Sequence, residues 1–382
     1  MTEKTDSRFT KGADAVLSIP PNSSIPIAYH PLFGPHNDLL LLELDEKLLP
    51  DVINQRVSLR GQSDEDAVLC TQSKTYAIKF VGTSNSVFLV PPSDQFSVNE
   101  EGEDPESNAA SVLKVAPGTM ELVEVAPRID KLKLLLSENT YKFDEVNEIY
   151  DSGLYQWDDL TDRVQASDEE LRSALRVLSA VEINGYWRII DQKYMDRILS
   201  MLINNSLLND WSLNALNEDE VVESLVKDGF SRVIAHHCLE VYGSKTNGES
   251  VWGLDEKRVC VHFARGILSS FGKMKMESFM EEWARKVPGG MVVSFEMLEG
   301  EVLVEKLGIQ SWVYGFSVSS LPSDPANRFS RLFQERSKWD WKDLHPYIRD
   351  LSVPGLTSDG LLLKYTRRTQ PTANSEPVFT AR

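Results

Sequence analysis

Cysteine is scarce in this chain of 382 residues, which holds only Cys70, Cys238 and Cys260. An odd, widely spaced set offers no disulfide framework in a chain this long, so three reduced packing residues are expected. Long apolar runs are missing too: the longest, such as Leu39 to Leu42, fall far short of the roughly 20 residues a bilayer span needs, and no membrane partner is expected. Met1 to Phe9 is polar and mixed in charge, without the apolar centre of a secretory signal, which predicts the cytosol or nucleus. Positive charge is also deficient. With 58 acidic and 40 basic residues the net charge is -18, which opposes phosphate binding over the surface as a whole.

The motifs of common chemistries are absent as well. His236, His237 and Cys238 are consecutive, and helix positions diverge by roughly 100° each, so the three cannot converge on one metal; no CxxC or HxxxH pair exists to help them. Gly266 to Lys273 superficially resembles a phosphate loop, but five residues separate its glycines where four are required, and Met274 stands where a magnesium-binding hydroxyl belongs. His30, His36, His262 and His345 lie far apart, with no GxSxG nucleophile. Asp64, Glu65 and Asp66 read as solvated acids on a hairpin tip. No catalytic residue, no metal and no cofactor is expected, and the chain is read as no enzyme.

What is present is organised in series. The length predicts two to four domains. Residues 27–126 read as β-rich: Val57 to Leu59, Ala67 to Thr71, Thr75 to Val81 and Val87 to Val90 are candidate strands, with Gly61 to Asp66, Gln72 to Lys74 and Gly82 to Ser86 as connections. Four or five short strands do not close a barrel, and their open edges invite a second chain. Residues 93–111 turn acidic and polar, the signature of a solvated linker loop, before Val112 to Val125 returns to the sheet. Residues 1–26 and 369–382 read as a flexible N-terminus and tail.

After Pro127 the apolar period changes from two to about 3.6, starting with Ile129, Leu132, Leu135 and Leu136. Ser167 with Glu170 predicts a capping box for a helix carrying Leu171, Ala174, Leu175 and Leu178 and ending near Asn184-Gly185, followed by an extended Tyr186 to Ile190. Helices followed by a small strand have the order of a winged helix. The pattern returns, with Asn217 and Ser231 as caps, Gly243 as a stop, Val251-Trp252 as a strand and Val259 to Phe271 as a closing helix. A third pass begins with Phe279, Met280 and Trp283, breaks at Pro288-Gly289-Gly290, continues through a helix near Phe295 to Leu307, and ends in a strand from Leu361 to Tyr365. The predicted fold is α+β: a partial N-terminal β-barrel and three tandem winged-helix modules at 127–192, 193–272 and 273–368.

Charge is unevenly spread along this series. Residues 1–126 hold 9 basic and 19 acidic groups, 127–320 hold 21 and 32, and 321–382 hold 10 and 7. Arg328, Arg331, Arg336, Lys338, Lys342, Arg349, Lys364, Arg367 and Arg368 gather there with Trp339, Trp341 and Tyr365 interleaved, a pattern suited to nucleic acid. Lys338, Lys342, Arg349, Lys364, Arg367 and Arg368 are the candidate DNA contacts.

Six phrases carry a resemblance: SLRGQSDEDAVLCTQSKTYAIKFVGTSNS (Ser58 to Ser86), IDKLKLLLSENTY (Ile129 to Tyr141), GYWRI (Gly185 to Ile189), PGGMVVS (Pro288 to Ser294), RFSRLFQERSKWDWKDLHPYIRDL (Arg328 to Leu351) and LLLKY (Leu361 to Tyr365). In this order the chain resembles the Dcc family of sister-chromatid cohesion proteins from about Leu39 to Tyr365. The resemblance implies a nuclear subunit of the alternative, replication factor C-like clamp loader, supporting clamp loading, DNA replication and cohesion. It implies that the N-terminal β region joins the other clamp-loader subunits in a shared barrel. It further implies that the winged helices bind the catalytic part of DNA polymerase epsilon and single- or double-stranded DNA, the ATPase work belonging to other subunits. The first winged helix, with Asp158, Asp159, Asp162, Asp168, Glu169 and Glu170, is too acidic to favour phosphate and suits protein docking, and the protein that the resemblance implies there is the polymerase. The competing reading is a free-standing winged-helix transcription or repair factor, which requires base contacts rather than phosphate contacts alone.

Overall fold

A computed structural model describes residues 26–91, 110–143, 153–246, 250–351, 353–370, 372 and 375–382. The described residues form two compact units, one drawn from the ranges 1–57, 66–69 and 76–124 and the other from 58–65, 70–75 and 125–382. Both are mixed α and β, and among the described residues no sheet closes into a barrel.

The elements of the N-terminal part are β1 (Ile27–Tyr29), β2 (Leu42–Glu43), α1 (Leu49–Asn54), β3 (Ser58–Arg60), β4 (Val68–Cys70), β5 (Thr75–Leu89), β6 (Ala110–Val112) and β7 (Lys114–Val125). The main sheet runs β2-β7-β5-β4-β3, while β1 pairs in parallel with β6. Strand β5 is continuous where the turn formers Gly82 to Ser86 predict a break. Its neighbour β7 accounts for the difference. Gly118 lies so close to the Val81 carbonyl that a Cβ there would sit 2.2 Å from the oxygen, so glycine lets the two backbones meet and pairing holds a polar stretch extended. The core of the first unit is small: Leu48, Leu69 and Tyr76, flanked by Val57, Ile78 and Leu122.

The second unit continues with α2 (Ile129–Glu138), α3 (Trp157–Arg163), α4 (Asp168–Val177), β8 (Ala180–Ile183) and β9 (Tyr186–Ile189) around a core of Leu132, Leu136, Leu160, Leu171 and Leu175. Ser167 caps α4 in the predicted box with Glu170. The helix ends at Val177 rather than near Asn184, because Asn184 (φ 53°) and Gly185 (φ 85°) both adopt the left-handed conformation that a two-residue hairpin turn demands. They therefore join β8 to β9, pairing Ile183 with Tyr186.

Next come α5 (Gln192–Leu208), β10 (Leu216–Asn217), α6 (Glu218–Lys227), α7 (Arg232–Tyr242), β11 (Gly243–Lys245) and β12 (Val251–Leu254), with the sheet order β10-β12-β11. Asn217 and Ser231 cap α6 and α7 through the Glu220 and Ile234 amides. On α7, His237 and Cys238 face the core while His236 stays half-exposed between Glu218 and Glu240, which is the divergence expected of consecutive helix positions. All three cysteines are free and buried, and burial raises the Cys260 thiol to about 11.

The C-terminal stretch holds α8 (Glu256–Phe271), β13 (Met274–Lys275), α9 (Met276–Lys286), β14 (Val302–Leu307), β15 (Gln310–Gly315), α10 (Pro325–Glu335), β16 (Lys338–Asp340), α11 (Trp341–Leu344), α12 (Ser358–Tyr365), β17 (Thr366–Thr369) and β18 (Val378–Ala381). Here the structure departs from a single third module, for there are two separate cores. Helix α8 packs Cys260, Ala264 and Ile267 with Phe279, Trp283 and Val313 under the sheet β13-β15-β14. Phe329, Leu332, Trp339, Leu344, Tyr347 and Phe379 form the other core under β16-β18-β17. The second unit thus comprises four submodules, at about 127–190, 191–255, 256–315 and 316–382, each pairing helices with a small antiparallel sheet.

Three local expectations are overturned in this stretch. Phe295 to Leu307 is a single 3-10 turn (Phe295–Leu298) followed by strand β14, because Gly300 (φ 78°) redirects the chain between them. Leu361 to Tyr365 is helical, since the Thr357 hydroxyl accepts from the Gly360 amide and starts α12. The segment read as a flexible tail supplies β18, the central strand of the last sheet, because the alternation Val378, Phe379, Thr380, Ala381 buries one aromatic ring among Trp339 and Trp341. Among the described residues no helix is long and apolar enough to cross a membrane.

Candidate nucleic-acid interface

The last sheet decides where its cations point. Trp339 is 1% exposed and donates its indole N–H to the Leu332 and Arg336 carbonyls, both at 3.0 Å. Its ring meets Tyr347 edge-on at 5.6 Å. Tyr347 in turn donates its hydroxyl to the Val302 carbonyl at 2.8 Å, and burial pushes that phenol far above its ordinary value. With Trp339 fixed inward, the alternation of a strand turns Lys338 outward.

Registry then assembles the outer face. Lys338 stands opposite Thr380 and Thr380 opposite Arg367, so these three form one row across β16, β18 and β17. The next row, Trp339, Phe379 and Arg368, faces the core, and Arg368 reaches solvent only because β17 is an outer strand. Lys338, Lys342, Lys364, Arg367 and Arg368 are all exposed and have no acidic partner among the described residues. Lys364 lies over the Tyr365 ring at 5.2 Å.

The remaining basic residues of this stretch are committed internally. Arg328 is 3% exposed and is held by both carboxylate oxygens of Asp350, at 2.6 and 2.8 Å, and by the Tyr347 carbonyl at 3.1 Å. Arg331 pairs with Glu335 and Arg336 with Asp343. Arg349 belongs with these rather than with the row, because Glu299 neutralises it at 3.1 Å. Of the six candidate contacts the structure brings Lys338 and Arg367 into one row, sets Arg368 in the neighbouring row on the opposite face and Lys364 on the preceding helix, places Lys342 on α11, and gives Arg349 to an ion pair. Sequence reasoning missed Thr380, the central member of the row, although its period-two alternation with Phe379 was a readable signal.

The acidic first submodule also looks different once folded. Arg60 pairs with Asp168 and donates to the Ala166 carbonyl. Thr75, fully buried, accepts from the Ser167 amide at 3.0 Å and donates to Glu170 at 2.6 Å. Asp159 is used by the Gln156 amide at the start of α3. Only Asp158, Asp162 and Glu169 keep side chains without a protein partner among the described residues. Among those residues no cluster of three or more His, Cys, Asp or Glu side chains could hold a metal.

The sequence model of the family described as "Sister chromatid cohesion protein Dcc1" matches residues 39–348. The chain is also 33% identical over 355 residues to the sister chromatid cohesion protein DCC1 of Homo sapiens, covering 90% of this chain and 88% of that one. This chain belongs to the Dcc1 family. The Danio rerio member is 33% identical over 354 residues, with 90% of each chain covered. The Saccharomyces cerevisiae member is 23% identical over 370 residues, with 86% of this chain and 93% of that one covered. The Dcc1 match takes in Lys338 and Lys342 and ends one residue before Arg349. Arg367 and Thr380 therefore join the row from outside the matched span, brought there by the pairing of β18 with its two neighbours.

Proposed function

We propose that this Dcc1-family chain acts in sister chromatid cohesion as a non-catalytic adaptor subunit of an alternative clamp loader in the nucleus. It links that complex to DNA polymerase epsilon and to DNA. Family membership is the observation that carries the reading, since the relatives are named for sister chromatid cohesion. In this reading the open sheet of the first unit is completed by partner subunits. Its support is the apolar strand surface left in water on β5, where Phe80 is 56% exposed and Phe88 42%.

The helical submodules are read as winged helices, supported by helices that each lead into a small antiparallel sheet. The polymerase docks on the first of them, where Asp158, Asp162 and Glu169 remain available. DNA lies along the last sheet, where the Lys338–Thr380–Arg367 row offers positive charge to phosphates.

The test is affinity purification of the tagged full-length chain from replicating cells beside a Phe80→Asp/Phe88→Asp variant. Deletion of the N-terminal part would be uninformative, because Arg60 and Thr75 also brace α4. Clamp-loader subunits and polymerase epsilon should accompany the intact chain, and the clamp-loader subunits should be lost from the variant. Their absence from both would instead favour a free-standing DNA-binding factor.

A further inference from the structure

A positively lined concavity of the second unit lies elsewhere than the last sheet. A cleft of about 1070 Å³ opens between the four submodules. Its walls reverse the charge of the chain that builds them: Lys133, Arg176, Lys257, Arg258, Arg265 and Arg349 face Glu240, Glu299 and Glu301, in a chain of net charge -18. Two of these three acids are already paired. Arg265 binds Glu301 through two hydrogen bonds of 2.9 and 2.6 Å, and Arg349 binds Glu299 at 3.1 Å. Glu240 is approached by His236 and His237.

Lys133, Arg176 and Lys257 are left with no acidic partner among the described residues, two from the first submodule and one from α8. His237 lines the same cleft, 4% exposed, with an Nε2 that has no hydrogen-bond partner. The cleft is also built rather than incidental. Helix α2 closes it against the fourth submodule: Lys133 donates to the Ser319 carbonyl, and both Asp130 oxygens accept the Ser323 amide at 3.0 and 2.8 Å. A low-dielectric concavity lined by one surplus sign concentrates ligands of the other sign.

We propose that this cleft is a second nucleic-acid site, which takes a single strand by its phosphates and is separate from the outer face of the last sheet. The inference rests on the reading of this chain as a DNA-binding adaptor, and it adds where a strand with no complement goes. The cleft has the volume of a large small-molecule site, which suits a few nucleotides and excludes a duplex. Its aromatic lining residues, Tyr242 and Trp252, are buried, so no stacking platform is offered. Phosphate contacts from Lys133, Arg176 and Lys257 therefore carry the affinity, without sequence preference.

Three phosphate contacts to a single strand predict a slope of log affinity on log salt of about -2, a loss of roughly twentyfold between 50 and 200 mM salt. The test is fluorescence anisotropy of the full chain with a labelled 20-mer of thymidine and with a labelled 20-base-pair duplex. Arg176→Glu/Lys257→Glu should weaken the single strand about tenfold or more and leave the duplex unchanged. Arg176→Lys/Lys257→Arg should restore single-strand binding. Lys338→Glu/Arg367→Glu should do the reverse, weakening the duplex alone; if it does not while the cleft variant still loses the single strand, the sheet reading fails and the cleft stands. Equal single-strand affinity in wild type and the cleft variant would overturn the inference. So would a labelled polyglutamate peptide that binds the cleft when the thymidine 20-mer does not, since the site would then take acidic peptides.

Discussion

Replacing Phe379 by alanine should unlock the last sheet. Phe379 is 4% exposed on the central strand β18, opposite Trp339 and 5.8 Å from the Trp341 ring. A buried phenylalanine cut to alanine loses about 3–5 kcal/mol from transfer and cavity terms together. The loss falls on this core, which also takes in Leu303 of β14, because the first and second submodules have cores of their own. At about 3 kcal/mol, the backbone amides of β16 and β17 should exchange with deuterium roughly 150-fold faster. Hydrogen exchange followed by mass spectrometry of the full chain reads this directly, with β11 and β12 of the second submodule as an internal standard. Phe379→Leu keeps most of the volume and should cost only about 1 to 1.5 kcal/mol. Duplex affinity should fall together with protection, because Lys338 and Arg367 share a row only while β18 lies between them. Unchanged protection of residues 338–340 and 366–369 in Phe379→Ala would refute the assignment of β18 as the strand that organises this face.

Three further outcomes follow from the same structure. Asp350→Ala should destabilise the fourth submodule by roughly 2–3 kcal/mol in local unfolding, because it strands the buried Arg328 guanidinium, whereas Arg328→Met/Asp350→Ala should recover much of that loss. Thr75→Val keeps shape but removes one hydrogen bond each from the Ser167 amide and Glu170, which still bond each other at 2.8 Å, and should cost about 0.5–1.5 kcal/mol, read as faster exchange at the start of α4. Burial alone pushes the Asp196 carboxyl up, but the hydrogen bond and charge of His262, with Gln192, outweigh it and hold the group below its usual range. A depressed carboxylate contributes stability that is present above its unfolded value, near about 4, and lost as pH falls through the lower folded value. Asp196→Asn should therefore be less stable than wild type in urea melts at pH 5 to 7, and the gap should close below about pH 4.

Local rules made much of this chain legible. The caps at Ser167, Asn217 and Ser231 work as written because a side-chain oxygen needs only the amide three residues on. The divergence of His236 from His237 and Cys238 is likewise a property of one helix. Errors arose where one segment serves a distant one. Gly82 to Ser86 signals a turn, yet β7 holds it straight through the contact of Gly118 with Val81. Helix α8 was read as the end of one module, but its sixteen residues present Val259 to the second core and Cys260, Ala264 and Ile267 to the third.

The charge of the C-terminal region and the candidates Lys338, Arg367 and Arg368 were set by the residues present there, and the helix periodicity by the order of the apolar residues. Which cations are free was decided only by tertiary structure. Arg328 and Arg349 look like their neighbours in sequence, but Asp350 and Glu299 pair with them, while registry with β18 leaves Lys338 and Arg367 exposed in one row on either side of Thr380. The physical reason is that charge is carried by each residue alone, whereas its availability depends on partners brought within a few ångströms by folding. Those partners can lie 50 positions away, as Glu299 does from Arg349.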